Sequence, residues 1–154
     1  MLRVSGRAWV ASFVVLRSGH DGTEVLLMRR TGSNAGTWCQ VAGRIEPGET
    51  AWQAGLRELR EETGFTPESF WSADICEQFY EADRDTVTVA PVFVARVGPG
   101  AEPTLNEEHD AHRWLGCDEA IDAVSFGGQR RMLRDIRAEF VDRTPSPHLR
   151  IDLP

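Results

Sequence analysis

Residues 43–65 read GRIEPGETAWQAGLRELREETGF, and this stretch decides how the chain folds. Pro47 and Gly48 predict a turn, and Thr50 with Gln53 three residues on forms a capping box that opens a helix. Gly64 is placed to end that helix in the left-handed conformation. At about 100° per residue, with Trp52 as zero, Gly55, Leu56, Leu59 and Thr63 fall within roughly 60° and form a buried stripe. Glu58, Glu61 and Glu62 fall near 240°, 180° and 280°, roughly a flank beside that stripe. They repel one another at helical spacing and oppose the negative end of the helix dipole. Arg57 can reach Glu61, in the less favourable basic-before-acidic order. A solvated charged face would ordinarily explain an REE run. Here the acids gather at the wrong end of the helix and follow a Gly/Pro loop, so a hard divalent cation is the better account, because Mg²⁺ favours carboxylate oxygen supplemented by water.

On the N-terminal side, residues 7–17 (RAWVASFVVLR) read as a buried strand, Asp21-Gly22 as a turn, and residues 24–30 (EVLLMRR) as the returning strand of a hairpin. A polar loop leads into the short extended segment WCQVAG. Beyond the helix, residues 74–81 and 86–97 read as strands, and Pro91 in the second marks an edge or a bulge. AHRWLG reads as a short strand, and residues 129–141 as a helix with Met132, Leu133, Ile136 and Phe140 on one face. No repeat or linker divides the chain. The expectation is an α/β fold, a mixed sheet covered by a helix on each side, over residues 1–141, with 142–154 an arm or disordered tail.

Composition narrows the function. The 154 residues carry a net charge of −7, and all 17 basic residues are arginine. Counterion release gives such a chain nothing on a nucleic-acid duplex, so no extended nucleic acid is expected as partner. A small anionic substrate is compatible if a metal or local arginines reverse the field. No apolar run suits a bilayer, and the N-terminal apolar run lacks a cleavage site, so no membrane association and a cytoplasmic location are expected. Cys39, Cys76 and Cys117 show no CxxC pair and read as small buried hydrophobes. Arg130, Arg131, Arg134 and Arg137 read as a solvated helix face. His109 and His112 read as surface residues rather than ligands, since Mg²⁺ seldom uses imidazole.

The 43–65 stretch resembles the signature box of the Nudix (MutT-like) hydrolases at every constrained place: Gly43, Glu49, Arg57, Glu58, Leu59, Glu61, Glu62, Gly64 and Phe65. Ala42, where a second glycine is common, departs from usual practice without removing a functional group. The resemblance implies an α/β/α sandwich with a central mixed sheet and a loop–helix–loop motif. It also implies Mg²⁺ (Mn²⁺ as substitute) held by Glu58, Glu61, Glu62 and the Gly43 carbonyl. Glu49 and Arg57 would orient loop and helix, and the general base would be Glu58 or a carboxylate outside the box. Outside it, residues 37–49 and NEEHDAHRWLG are similar to the branch that cleaves dihydroneopterin triphosphate and deoxynucleoside triphosphates, with Glu108, or its neighbour Glu107, assisting the metal.

Arg29, Arg30, Trp38 and Gln40 are the candidate substrate contacts. Only one of Arg29 and Arg30 can face the helix layer. Tyr80 lies where a tyrosine accompanies diadenosine polyphosphate hydrolysis, which is the alternative substrate class. The expected activity is phosphoanhydride hydrolysis releasing pyrophosphate and a monophosphate from a nucleotide-like substrate, by a monomer or homodimer. A non-catalytic Nudix-like binding module is the competing class.

Overall fold

The protein, described by a computed structural model at residues 3–4 and 8–154, is built on one nine-stranded mixed sheet. In chain order the strands are β1 (Arg3–Val4), β2 (Val10–Gly19), β3 (Gly22–Arg30), β4 (Trp38–Cys39) and β5 (Val41–Arg44), then β6 (Ser69–Glu81), β7 (Thr86–Arg96), β8 (His109–Gly116) and β9 (Arg150–Ile151). The helices are α1 (Ala51–Thr63), α2 (Cys117–Ala123) and α3 (Gly127–Ile136), the last continued by a π turn over Arg137–Val141. The main path runs β4-β3-β2-β7-β6-β9, with β1 on β7, β5 on β2 and β8 on β3. β2 runs parallel to β7, whereas its pairings with β3 and β5 are antiparallel, so the sheet is mixed as expected.

Strand alternation divides the core into two. Ala11, Phe13 and Val15 of β2 face α1 with Leu26, Met28, Val41, Leu59 and Phe70, whereas Val14 and Leu16 face α2 and α3 with Leu27, Val92, Val94, Leu133 and Ile136. The hairpin forms where Asp21-Gly22 predicts it, with Gly19 opposite Gly22. Arg7, the first residue of the predicted strand, and much of the N-terminal segment read against a cleavage signal lie outside the described residues. Helix α1 has the full capping box at Thr50 and Gln53, and Gly64 ends it at φ 76°. Its Gly55 lets the helix sit directly on the sheet, since a Cβ there would stand 3.2 Å from Phe13 and from Phe70.

Several expectations need correction. β7 is an interior strand, so Pro91 does not mark an edge; it marks a bulge, because the β6 register shifts between Ser72 and Cys76, and Cys76 lies opposite Pro91. Helix α2 has no counterpart in the sequence reading. Its N-cap Gly116 makes no side-chain cap, which leaves the acidic pair Asp118 and Glu119 in the first turn as a weak local signal. The tail after residue 141 includes a 3₁₀ turn, Pro147–Leu149, and β9, which pairs with Phe70 and Trp71. It is therefore an ordered arm. Cys39 is buried, but Cys76 is exposed. No helix among the described residues is long and apolar enough to cross a membrane.

Candidate active site

The capping box and the Gly64 stop fix the phase of α1, and the phase fixes the acids. Glu62 lies next to the apolar stripe and is buried, at 1 % exposure, whereas Glu61 faces solvent and Glu58 is intermediate. Opposite them runs β5, which brings Gly43 so close that a Cβ there would overlap the Glu58 carboxyl group. Glycine is needed at this point for space.

Arg57 welds this loop to the helix. Its Nε and Nη2 donate to the two Glu49 oxygens at 2.6 and 2.9 Å, Nη2 also reaches the Arg44 carbonyl at 2.9 Å, and Nη1 reaches Glu58 at 2.8 Å and Glu61 at 3.3 Å. The bidentate guanidinium holds the Glu49 carboxyl down at about 2. Arg57 therefore fixes the loop and one oxygen of Glu58 together, which is a positioning role.

A third segment completes the site. The loop before β8 is pinned by Thr31, whose N–H donates to the Glu108 carbonyl at 3.0 Å and whose hydroxyl donates to the Glu107 carbonyl at 2.7 Å. The β3–β8 register then sets His109 opposite Arg30 after a shift between Arg29 and Arg30. One ligand atom each from Glu62, Glu108 and His109 lies within 4.8 Å of the others. Burial pushes the Glu62 carboxyl up to about 9, helped by Glu108 and Glu58 and opposed by Arg30. Burial also raises Glu58, against the pull of Arg57, and lowers His109. Glu62 lies within hydrogen-bonding reach of Glu108, while its Oε2 is enclosed with no hydrogen-bond partner among the described residues. A buried carboxylate oxygen without a donor, crowded by other acids, costs free energy unless a cation completes it. The donor set therefore fits a divalent ion.

The cleft has a volume of about 620 Å³, and Gly43, Arg57, Glu58, Glu61, Glu62, Glu107, Glu108, Arg30 and Gln40 all line it. Of the paired arginines, Arg30 enters the cleft, donating to Ser33 at 3.0 Å. Arg29 turns instead to Asp110 at 2.7 Å and lies over Trp38, with its guanidinium carbon 5.8 Å from the ring centroid. Trp38 packs against the α2/α3 core and, like Arg29, does not line the cleft. Tyr80 is exposed at the end of β6 and donates to Asp85 at 3.0 Å, away from the cleft.

Gln40 forms the cleft's link to a polar chain beneath it. Its amide donates to Ser12 and to Glu77, each at 2.9 Å, and its carbonyl accepts from Gln129 at 3.0 Å. Burial raises the Glu77 carboxyl to about 7. Sequence reasoning missed Glu77 and misplaced His109, which is 8 % exposed and not a surface residue. Strand alternation in β6 was the available signal for Glu77; nothing local marks His109.

This convergence of a glycine loop, an arginine brace and a carboxylate triplet on one helix coincides with a match to the NUDIX domain family over residues 7–142. The chain belongs to the Nudix family. It is 28% identical over 150 residues to the asymmetrical bis(5'-nucleosyl)-tetraphosphatase of Mus musculus, covering 94% of this chain and 99% of that protein. It is also 33% identical over 125 residues to an octanoyltransferase of Myxococcus xanthus, covering 80% of this chain but only 35% of that longer protein. Among solved structures, a C. elegans Ap4A hydrolase binary complex superposes with a TM-score of 0.74 at 24% identity, covering 86% of this chain and 96% of that one. The fold is thus that of the Nudix hydrolases, and this chain is a Nudix hydrolase of MutT-like type.

Proposed function

We propose that this Nudix hydrolase cleaves a dinucleoside polyphosphate of the diadenosine tetraphosphate kind, asymmetrically, to a nucleoside monophosphate and a triphosphate. The observation that carries this substrate is the end-to-end likeness to the mouse tetraphosphatase, which spans nearly all of both chains. The two substrate classes weighed from the sequence therefore exchange places, with dihydroneopterin triphosphate and deoxynucleoside triphosphates second. A binding module without catalysis would have no need of Glu58, Glu61 and Glu62 converging on one cleft with Glu108.

A bound divalent cation supplies charge neutralisation on phosphoryl oxygens and lowers the pKa of a coordinated water. Glu62, Glu61, Glu108 and the Gly43 carbonyl would hold it. Arg30, in the cleft and with its guanidinium on the Ser33 hydroxyl, meets the polyphosphate with its planar fork. Glu58 accepts the proton of the attacking water: burial raises its proton affinity, and Arg57 holds one oxygen so that the other keeps its aim. The water oxygen bonds to phosphorus, the anhydride P–O bond breaks, and the departing phosphate keeps the bridging oxygen with its electron pair.

A side-by-side assay of diadenosine tetraphosphate, dATP and dihydroneopterin triphosphate in Mg²⁺, with products identified, tests the substrate. Diadenosine tetraphosphate should give the highest kcat/KM, with AMP and ATP as products. Faster release of pyrophosphate from either triphosphate would overturn the assignment. Glu62→Gln should lower turnover of the best substrate roughly a hundredfold or more, the scale on which loss of one preorganised charge-stabilising group is felt.

A further inference from the structure

We propose that His109 supplies an imidazole nitrogen to the metal centre of Glu62 and Glu108, so that this position favours a first-row transition cation (Mn²⁺, Fe²⁺ or Co²⁺) over Mg²⁺. The inference rests on the reading of the acidic cleft as a metal cradle and adds a ligand that the signature box does not contain.

Three observations carry it. The ligand atoms of Glu62, Glu108 and His109 lie within 4.8 Å of one another, close enough for one ion to touch all three. Two of these residues are more than nine-tenths buried, at 1 % and 8 % exposure, and each keeps an enclosed atom without a partner among the described residues: Glu62 Oε2 and His109 Nδ1. Unpaired buried polar atoms are rare in folded proteins, and one on each of two residues of the same ligand cluster points to a missing shared ligand. Finally, the backbone holds the imidazole in place. His109 N–H donates to the Asn106 carbonyl at 3.4 Å, Glu108 N–H donates to the Asn106 side chain at 3.1 Å, and Thr31 fixes the loop from below.

The ring's Nε2 faces the Cys39 sulfur at 3.8 Å, but that sulfur also lies 3.5 Å from the Met28 carbonyl, to which its hydrogen can be given. The thiol is a weak donor, so the contact leaves the imidazole available. An oxygen-only site suits Mg²⁺; adding a neutral nitrogen shifts relative affinity along the first-row series and leaves Mg²⁺ with little gain.

The test uses the whole protein loaded with Mn²⁺ and reads the metal spectroscopically, without turnover. Electron spin-echo modulation of the bound Mn²⁺ should show coupling to a directly bonded ¹⁴N. His109→Gln should remove that coupling, and His112→Gln should keep it. By calorimetry, His109→Gln should weaken Co²⁺ binding about tenfold or more, since loss even of an outer partner of a ligand costs that much, while Mg²⁺ affinity moves less than Co²⁺ affinity does. Should His109→Gln fail to fold, ¹⁵N labelling of histidine in the unaltered protein makes the same decision, because the modulation must change with the isotope. Mn²⁺ bound with no nitrogen coupling overturns this inference and leaves the carboxylate site standing. Absence of Mn²⁺ binding overturns both.

Discussion

Glu62 concentrates the conflict of the site in one side chain. Its carboxyl is raised from the ordinary 4.5 to about 9, with burial as the main cause. The metal-free folded state therefore keeps a proton that the unfolded chain gives up, so stability is fullest below about pH 4.5 and is lost as pH rises through about 9. Glu62→Gln should flatten that dependence and raise the metal-free Tm at pH 8 by several degrees, while lowering turnover. A pH series of thermal melts without metal reads this directly, and an unchanged slope would sink the account. Glu77 adds a second window by the same sign. Raised by burial from 4.5 to about 7, it withdraws stability as pH climbs between those values. Because Glu77 faces Gln40 and not the acidic triplet, Glu77→Gln should remove its share in metal-loaded protein too, which separates the two residues.

At the scale of elements, α1 is held by local devices, and these were legible. The capping box, the apolar stripe and the Gly64 stop all follow from residues within a turn of where they act. Gly64→Ala should cost about 1 kcal/mol, because a Cβ at φ 76° is strained. Thr50→Ala should cost about the same through loss of the cap, and urea denaturation measures both. Gly43→Ala probes the other side of the cleft. Its new methyl meets the end of a flexible side chain, Glu58, so Tm should hold within a few degrees while turnover collapses. Equal loss of both would mean that the loop needs glycine for its fold. What was illegible depends on partners distant in sequence. Pro91 allowed an edge or a bulge, and the choice of the bulge depends on β6 shifting register opposite it and on β2 pairing only from Val92. His109 reaches Glu62 because the β3–β8 register shifts after Arg29. The helix triplet could be read from spacing; the ligand delivered to it by another strand could not.

For the molecule as a whole, the sheet separates two cores that are joined through its strands, through the Gln129–Gln40 hydrogen bond beneath the cleft and through the C-terminal arm. Leu149 packs against the α2/α3 core, whereas Ile151 and Leu153, two and four residues later, pack against the α1 core. Between them β9 adds a strand beside Phe70 and Trp71, so the arm crosses the sheet edge and ties both layers. Ending the chain before Pro147 removes three partly buried aliphatic side chains, worth roughly 2–4 kcal/mol together. In a domain of this size that corresponds to about 5–10 °C in Tm. None of these residues lines the acidic cleft, so kcat/KM assayed well below the melting range should stay within about twofold of the full chain, as expected for change remote from that cleft. A truncated protein that melts unchanged would show that the arm contributes no stability. One that melts normally yet loses turnover would show that the arm acts on the site itself.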